Sequence, residues 1–375
     1  MSARAASDAL HTRVRALMRA SSEGRPRESF DALASDIARF QAAHVAGYGR
    51  LCAARGVDPS RLARASDAPA VPTDAFKASH VFAFDGADAT ATFRTSGTTL
   101  GARGTHFIRD LGAYDVGSVA FARTVLLPPA ARAPMPVLVL GPSPAEARDS
   151  SLAHMCGLFT AAFGAGEADE ATFFVRSGSL DAEALRGRVD RLDAETPALV
   201  LATSFALVHL LDALGGESLR LPAGSRVMQT GGYKGKSREV PPDTLSDDVA
   251  RAFAIDPRDI VGEYGMTELS SQFWQRAPNR GETRRRIYVE PAWARVVPVR
   301  PQTLEPVAEG EAGVARIEDL ANVDSAFAVV TQDLVRRVAD GFELLGRAPG
   351  APPRGCSIAL DEMLSAIGSG RREGP

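Results

Sequence analysis

Four stretches of this chain hold residue types whose spacing could bind phosphate and a nucleotide. The first is Thr95-Ser96-Gly97-Thr98-Thr99-Leu100-Gly101, with four hydroxyl side chains and two glycines. Glycine removes the Cβ barrier to close approach, so backbone N–H groups and short O–H donors can converge on an anion there. Alone, such a run is as readily a surface turn. The second stretch, Glu263-Tyr264-Gly265-Met266-Thr267-Glu268, changes that balance by adding an aromatic ring, a hydroxyl and two carboxylates. The third is Thr230-Gly231-Gly232-Tyr233-Lys234-Gly235-Lys236, and the fourth is Thr331-Gln332-Asp333 with Gly346-Arg347.

One chemistry uses all four: attack of a carboxylate on the α-phosphate of ATP. It needs donors around the phosphates and a screening Mg²⁺, and little covalent help from the protein. In such a site Thr95, Ser96, Gly97, Thr98, Thr99 and Gly101 hold the leaving pyrophosphate, and Thr267 donates to the α-phosphate. Glu268 supports Mg²⁺, which favours hard oxygen ligands and keeps several waters. Gly231 and Gly232 let backbone approach the adenine, and Tyr264 lies against its ring, with Gly265 and Met266 in the same nucleotide-binding run. Asp333 suits the ribose hydroxyls.

Positioning these groups requires strands that end near them. After the hydroxyl loop, apolar strands at 136–140, 171–175, 198–202, 226–230 and 259–263 alternate with amphipathic helices at 111–127, 150–163, 180–192, 204–214 and 242–253. That alternation predicts an α/β fold with a parallel-rich sheet, whose ligands bind at the carboxyl ends of the strands. Before it, residues 1–70 read as a helical segment packed on the core, with Phe30, Leu33, Ile37, Phe40, Val45 and Tyr48 at helical spacing. Residues 71–285 form the expected α/β core and 286–346 a β-rich subdomain with strands at 294–299, 313–317, 326–331 and 342–345. Asp340-Gly341 marks a hairpin before the last strand. Residues 347–375 read as a Pro/Gly linker and a short helix over 357–367 carrying Cys356 at its start. The segment 201–207 could line an apolar acyl pocket or serve as core, and an apolar run after a strand usually packs.

Composition excludes several classes. The chain is 45% hydrophobic and 24% charged with a net charge of −3, so it is globular and has no broad basic field for nucleic acid. No apolar window is long enough for a membrane span and no signal peptide is visible, which predicts a cytoplasmic protein without integral membrane association. Three cysteines fit neither a disulfide framework nor a zinc site. Cys52 and Cys156 read as buried thiols, and His154 and His209 as packed on apolar helical faces. Neither a P-loop motif nor a G-x-S-x-G elbow is present.

The loop at 95–101, Tyr264 to Glu268, and Thr331-Gln332-Asp333 with Gly346-Arg347 resemble the signature motifs of the adenylate-forming (acyl-CoA ligase) superfamily. Within it, the Pro72-to-Lys77 entry, the Thr-Gly-Gly-Tyr-Lys-Gly segment and the ending Gly346 to Ser357 most resemble the acyl-protein synthetase (LuxE) family. The resemblance spans roughly 72–364. Departures are Leu100 inside the phosphate loop, the lack of a following lysine, Gln332 in place of glycine, and no full C-terminal lid domain. The resemblance implies ATP and Mg²⁺ as cofactors, Arg347 among the nucleotide-binding residues, and a fatty or other carboxylic acid as substrate. It also implies capture of the acyl group on Cys356 as a thioester, with Thr267 and Glu268 catalytic, and delivery to a partner such as an acyl reductase or a carrier protein. Cys356 sits beside Arg354 at the start of the expected helix, where positive charge favours the nucleophilic thiolate. Two readings stand beside it: a ligase that hands the acyl group directly to coenzyme A or a carrier protein, and a non-catalytic scaffold that binds a nucleotide or partner.

Overall fold

A computed structural model describes residues 1–24, 28–95, 103–127, 134–164, 172–231, 240–277, 285–349 and Met363. The chain begins with helices α1 (Ala3–Ser22), α2 (Phe30–His44) and α3 (Ala46–Ala54). Short β1 (Val71–Pro72) and α4 (Ala75–Ala78) follow, then β2 (Ala91–Arg94), β3 (Thr105–Ile108) and α5 (Gly112–Val125). The α/β stretch comprises β4 (Val137–Leu140), α6 (Ser151–Phe163), β5 (Val175–Arg176), β6 (Ser179–Leu180) and α7 (Ala182–Val189). It continues with β7 (Leu199–Thr203), α8 (Ser204–Leu214), β8 (Arg226–Thr230), α9 (Pro242–Phe253), β9 (Ile260–Tyr264) and β10 (Phe273–Gln275). The last strands are β11 (Ile287–Val289), β12 (Ala294–Val299), β13 (Ala312–Asp319), β14 (Ala328–Val338) and β15 (Gly341–Arg347).

These elements form two compact units that do not follow chain order. One contains Met1–Gly117, Met266–Ser271 and Val289–Pro375; the other contains Ser118–Gly265 and Gln272–Tyr288. Residues 71–285 are therefore shared between them.

In the second unit, β4, β7, β8 and β9 run parallel and adjacent, with β10 antiparallel to β9. β4 is buried along its whole length and β7 along all but its last residue, as parallel strands covered on both faces must be. Local signals set the helices: Thr203 caps α8 by accepting from the Ala206 N–H, and Gly215 ends it in the left-handed region at φ 57°. Leu207, Leu210 and Leu214 of α8 and Leu245, Val249 and Phe253 of α9 close one core against Leu138, Val200 and Val227. The strand expected at 171–175 does not form as such. Phe173 makes a single bridge to Val139, and the chain then turns at Ser177 and Gly178, both at positive φ, into the two-residue hairpin β5–β6.

In the first unit, β12, β13, β14 and β15 form an antiparallel sheet, and β1 pairs parallel with the start of β14. The hairpin before β15 lies one residue earlier than expected, since Val338 pairs with Gly341 and leaves Ala339 and Asp340 as the turn. Cys52 is buried on α3, and burial pushes its thiol up to about 11. The helix expected at 357–367 lies outside the described residues except at Met363. That residue is buried, its methyl group faces Gly47 of α3, and its carbonyl accepts from Arg50 Nε at 2.6 Å.

The N-terminal helices join the late strands through polar contacts. Asp324 accepts from Ser7 Oγ and from Arg109 Nε at 3.2 Å, and lies 2.9 Å from His11 Nε2. Arg109 also pairs with Asp8 at 2.8 Å. Gln41 of α2 donates to the carbonyls of Asn322 and Val323 at 2.7 and 2.9 Å and accepts from the Phe327 N–H. A buried charge held this way is costly to leave unpaired. Asp324→Ala is therefore expected to lower unfolding free energy by about 3 kcal/mol, read from the urea midpoint.

Candidate active site

The Tyr-Gly-Met-Thr-Glu run is divided between the two units. Met266 to Glu268 open a turn in the first unit whose backbone groups are held by side chains. The Thr267 carbonyl lies 2.8 Å from His106 Nδ1, and the Glu268 carbonyl accepts from Asn322 Nδ2 at 2.8 Å. The Ser270 N–H donates to Asp319 at 2.8 Å, Ser270 Oγ donates to Asn322 Oδ1 at 2.6 Å, and Ser271 Oγ donates to Asp319 at 2.6 Å. Loop backbone away from water needs such partners, because each unpaired group costs about 1–3 kcal/mol. Burial pushes the Asp319 carboxyl above the usual carboxylate range, against the pull of its donors Ser271, Ser270 and Ala321. Glu268 is buried, while Thr267 remains half-exposed. The backbone of Thr267 is thus fixed while its residue stays half-exposed.

His106 is 2% exposed on β3, with its ring edge-on to Phe76 and its Nε2 2.9 Å from Ser325 Oγ. Desolvation lowers its pKa to about 4, so the ring is neutral near pH 7. His106, Asp319, Asn322 and Ser325 were not singled out by sequence. The available signal was four polar residues, Asp319, Asn322, Asp324 and Ser325, between two apolar strands.

The hydroxyl loop is described only at its base. The Thr95 N–H donates to the Gly104 carbonyl at 2.9 Å, Gly104 N–H donates to Thr95 Oγ1 at 2.8 Å, and Arg103 Nε donates to the Thr95 carbonyl. A Cβ at Gly104 would lie 3.0 Å from Thr95 Cγ2 and 3.5 Å from Lys77 Cγ, so this base is tightly closed. Ser96, Gly97, Thr98, Thr99 and Gly101 lie outside the described residues, as do Gly232 and Cys356. The Gln332 departure has a local partner: its side-chain amide donates to Asp74 at 3.2 Å, and Asp74 also pairs with Lys77 at 2.8 Å. Asp333 and Arg347 are register partners across β14 and β15, with Arg347 Nε 3.5 Å from the Asp333 carboxylate.

In the second unit, Gly231 follows β8 at φ 67° and is exposed, a backbone state that favours glycine. Thr230 Oγ1 donates to Glu263, and the other Glu263 oxygen occupies the space a Cβ on Gly265 would need. Glycine in the Tyr-Gly pair therefore accommodates the buried carboxyl beneath it. Tyr264 is 7% exposed, and its ring is fixed against Phe273 and Tyr288 at centroid distances of 6.0 and 6.2 Å.

A cavity of about 520 Å³ opens at the carboxyl ends of β4 and β7. Leu201 and Met228 line it from the sheet, Ala153 and Cys156 from α6, and Phe205 and Ala206 from α8. Within 201–207 the two sequence readings divide by residue, because Leu207 is fully buried in the α8–α9 core. Cys156 is buried, its thiol pushed up to about 12 by desolvation and then by Glu263. His209 does not pack as expected: it is exposed at the cavity's edge with its ring edge-on to Phe205 at 4.4 Å. The helix turns it outward while Leu207 and Leu210 face the core. His154 is half-buried.

Desolvation raises Glu263 to about 7 from 4.5, with the Thr230 hydroxyl pulling the other way. The folded state then binds more protons than the unfolded chain between those values, and its stability falls as pH rises through that window. Glu263→Gln is expected to flatten this slope and to raise stability at pH 8 relative to pH 4.5 by about 3 kcal/mol, measured by chemical denaturation at both pH values.

Comparison with known proteins adds to this geometry. The family model described as acyl-protein synthetase, LuxE, matches residues 19–365. A 2-hydroxyisobutyryl-CoA ligase in its postadenylation state, with R3-HIB-AMP, is similar at a TM-score of 0.59 and 13% identity over 84% of this chain and 67% of that one. The same ligase with 2-HIB-AMP and CoA in the thioesterification state gives 0.57 and 15%, over 92% and 69%. ATP-bound MatB from Rhodopseudomonas palustris aligns at 0.47 and 14%, over 71% and 49%, so this chain spans about half the length of that structure. The ligase likenesses show the fold, that of the adenylate-forming enzymes. No curated protein sequence matches.

Proposed function

Because the chain belongs to the acyl-protein synthetase (LuxE) family, we propose that it activates a carboxylic acid with ATP, holds the acyl group on Cys356 and passes it to a partner protein. The carboxylate oxygen attacks the α-phosphorus, the bond to pyrophosphate breaks, and acyl-AMP forms. The Cys356 thiolate then attacks the acyl carbonyl, AMP departs, and a thioester remains for transfer to an acyl reductase or carrier protein. The observation that carries the first step is the Thr267–Glu268 turn, whose two carbonyls are pinned while Thr267 stays accessible. A donor held in place before reaction costs no reorganisation as charge develops on the α-phosphoryl oxygens.

The remaining roles follow from the family motifs: Thr95 with Ser96, Gly97, Thr98, Thr99 and Gly101 for the departing phosphates, Gly231, Gly232 and Tyr264 for the adenine side, Asp333 for the ribose, and Gly265, Met266 and Arg347 among the nucleotide-binding residues. Among the described residues no cluster of three His, Cys, Asp or Glu could hold a metal. Mg²⁺ needs no such cluster, since it binds through substrate phosphates, waters and one or two carboxylates, and Glu268 would be the carboxylate here. When bound, the ion would screen the phosphate charge.

For the acyl group, the cavity beside β4 and β7 is the candidate pocket. Among the described residues its lining has no Asp, Glu, Lys or Arg, which supports an uncharged, apolar acyl group such as a fatty chain. A cytoplasmic location belongs to the same proposal; no described helix is long and apolar enough to cross a membrane.

Incubation with MgATP and radiolabelled acids tests the covalent step. The expected result is a protein-bound label that requires ATP, is released by hydroxylamine and is lost in Cys356→Ala. Pyrophosphate release without protein labelling, accompanied by product on adding coenzyme A, would instead support direct ligation. Filling the cavity by Ala153→Leu should lower kcat/KM for the longest accepted acid by about tenfold or more while sparing short acids, as measured across a chain-length series.

A further inference from the structure

We propose that His106 is the positioning residue for Thr267, acting as a neutral ring that donates from Nδ1 to the Thr267 carbonyl. The inference rests on the proposed adenylation and extends it to a residue outside the motifs. A carbonyl oxygen can only accept, so the 2.8 Å contact requires the proton on Nδ1. In the neutral ring Nε2 is then an acceptor, and the Ser325 hydroxyl 2.9 Å away must donate to it. One ring in one tautomer satisfies both neighbours, and the opposite tautomer sets a lone pair against the Thr267 carbonyl. The buried, uncharged state of the ring agrees with this assignment.

The consequence for chemistry comes from backbone planarity. The Thr267 carbonyl belongs to the peptide between Thr267 and Glu268, so fixing it sets ψ of Thr267 and φ of Glu268 together. Asn322 fixes the following carbonyl in the same way. The side chains of both motif residues are thereby aimed by groups that hold only their backbone carbonyls. Ser325 and Asn322 lie on one loop with Asp324, which Ser7, His11 and Arg109 hold from below.

Two substitutions separate this role from simple core support. In His106→Asn the amide nitrogen stands where Nδ1 stood, which keeps the donor to Thr267 and gives up Ser325. In His106→Gln a group reaches toward Ser325 and nothing replaces Nδ1. ATP–pyrophosphate exchange with a saturating acid is expected to fall about 10- to 100-fold in kcat for Gln and Ala, with KM for ATP within about threefold of wild type, while Asn stays within about fivefold. Nitrogen-15 NMR of the full chain should show His106 protonated at Nδ1 between pH 6 and 8. Equal losses for Asn and Gln, equal retention by both, or an Nε2-protonated ring would overturn the assignment. Wild-type exchange absent with every acid would remove the adenylation reading, and this extension with it. If the ring variants unfold, Ser325→Ala keeps the imidazole intact; a lowered kcat with unchanged KM for ATP is expected, and wild-type kcat contradicts the role.

Discussion

The structure depends on one physical constraint: a turn with few backbone hydrogen bonds of its own must have its polar groups satisfied by side chains. Between β9 and β10 the chain passes through Met266 to Ser271, and the only backbone bond within the turn runs from the Leu269 N–H to the Met266 carbonyl among those described. Side-chain partners come from His106 on β3, from Asp319 at the end of β13 and from Asn322 just after it. Each bond is individually worth about 1 kcal/mol, but losing any one strands a buried group. That asymmetry makes the arrangement rigid, and rigidity is what a donor aimed at a developing phosphoryl charge requires.

The N-terminal helices gain a purpose in this setting. α1 supplies Ser7 and His11 to Asp324, and α2 supplies Gln41 to the carbonyls of Asn322 and Val323. The loop that orients the motif turn is therefore supported from a helical segment far away in sequence. α3 holds one described point of the C-terminal segment through Arg50 and Gly47, seven positions beyond the proposed acyl-carrying Cys356.

Much of this was legible in the sequence where local chemistry decides. α8, α9 and β8 match their expected bounds because Thr203, Gly215 and Pro242 punctuate strong apolar periods. The α/β alternation correctly announced parallel strands, and the motifs correctly announced the adenylate-forming fold and the family. The polar cradle was illegible because burial is a long-range property: Asp319, Asn322 and Ser325 look like any turn until β3 and two helices close over them. His209 failed for a related reason, since an apolar helix buries only part of its circumference. Residues 171–175 failed because Ser177 and Gly178 divert the chain into a local hairpin that periodicity alone does not reveal.

The central claim is that carboxylate oxygen bonds to the α-phosphorus of ATP, and an isotope measurement tests it most directly. The protein would be incubated with ATP and an acid carrying oxygen-18 in both carboxylate positions, and the nucleotide and phosphate products analysed by mass spectrometry. One heavy oxygen in AMP, with none in pyrophosphate, is the predicted result. Heavy oxygen in inorganic phosphate or pyrophosphate, with unlabelled AMP or ADP as the nucleotide product, would contradict the account.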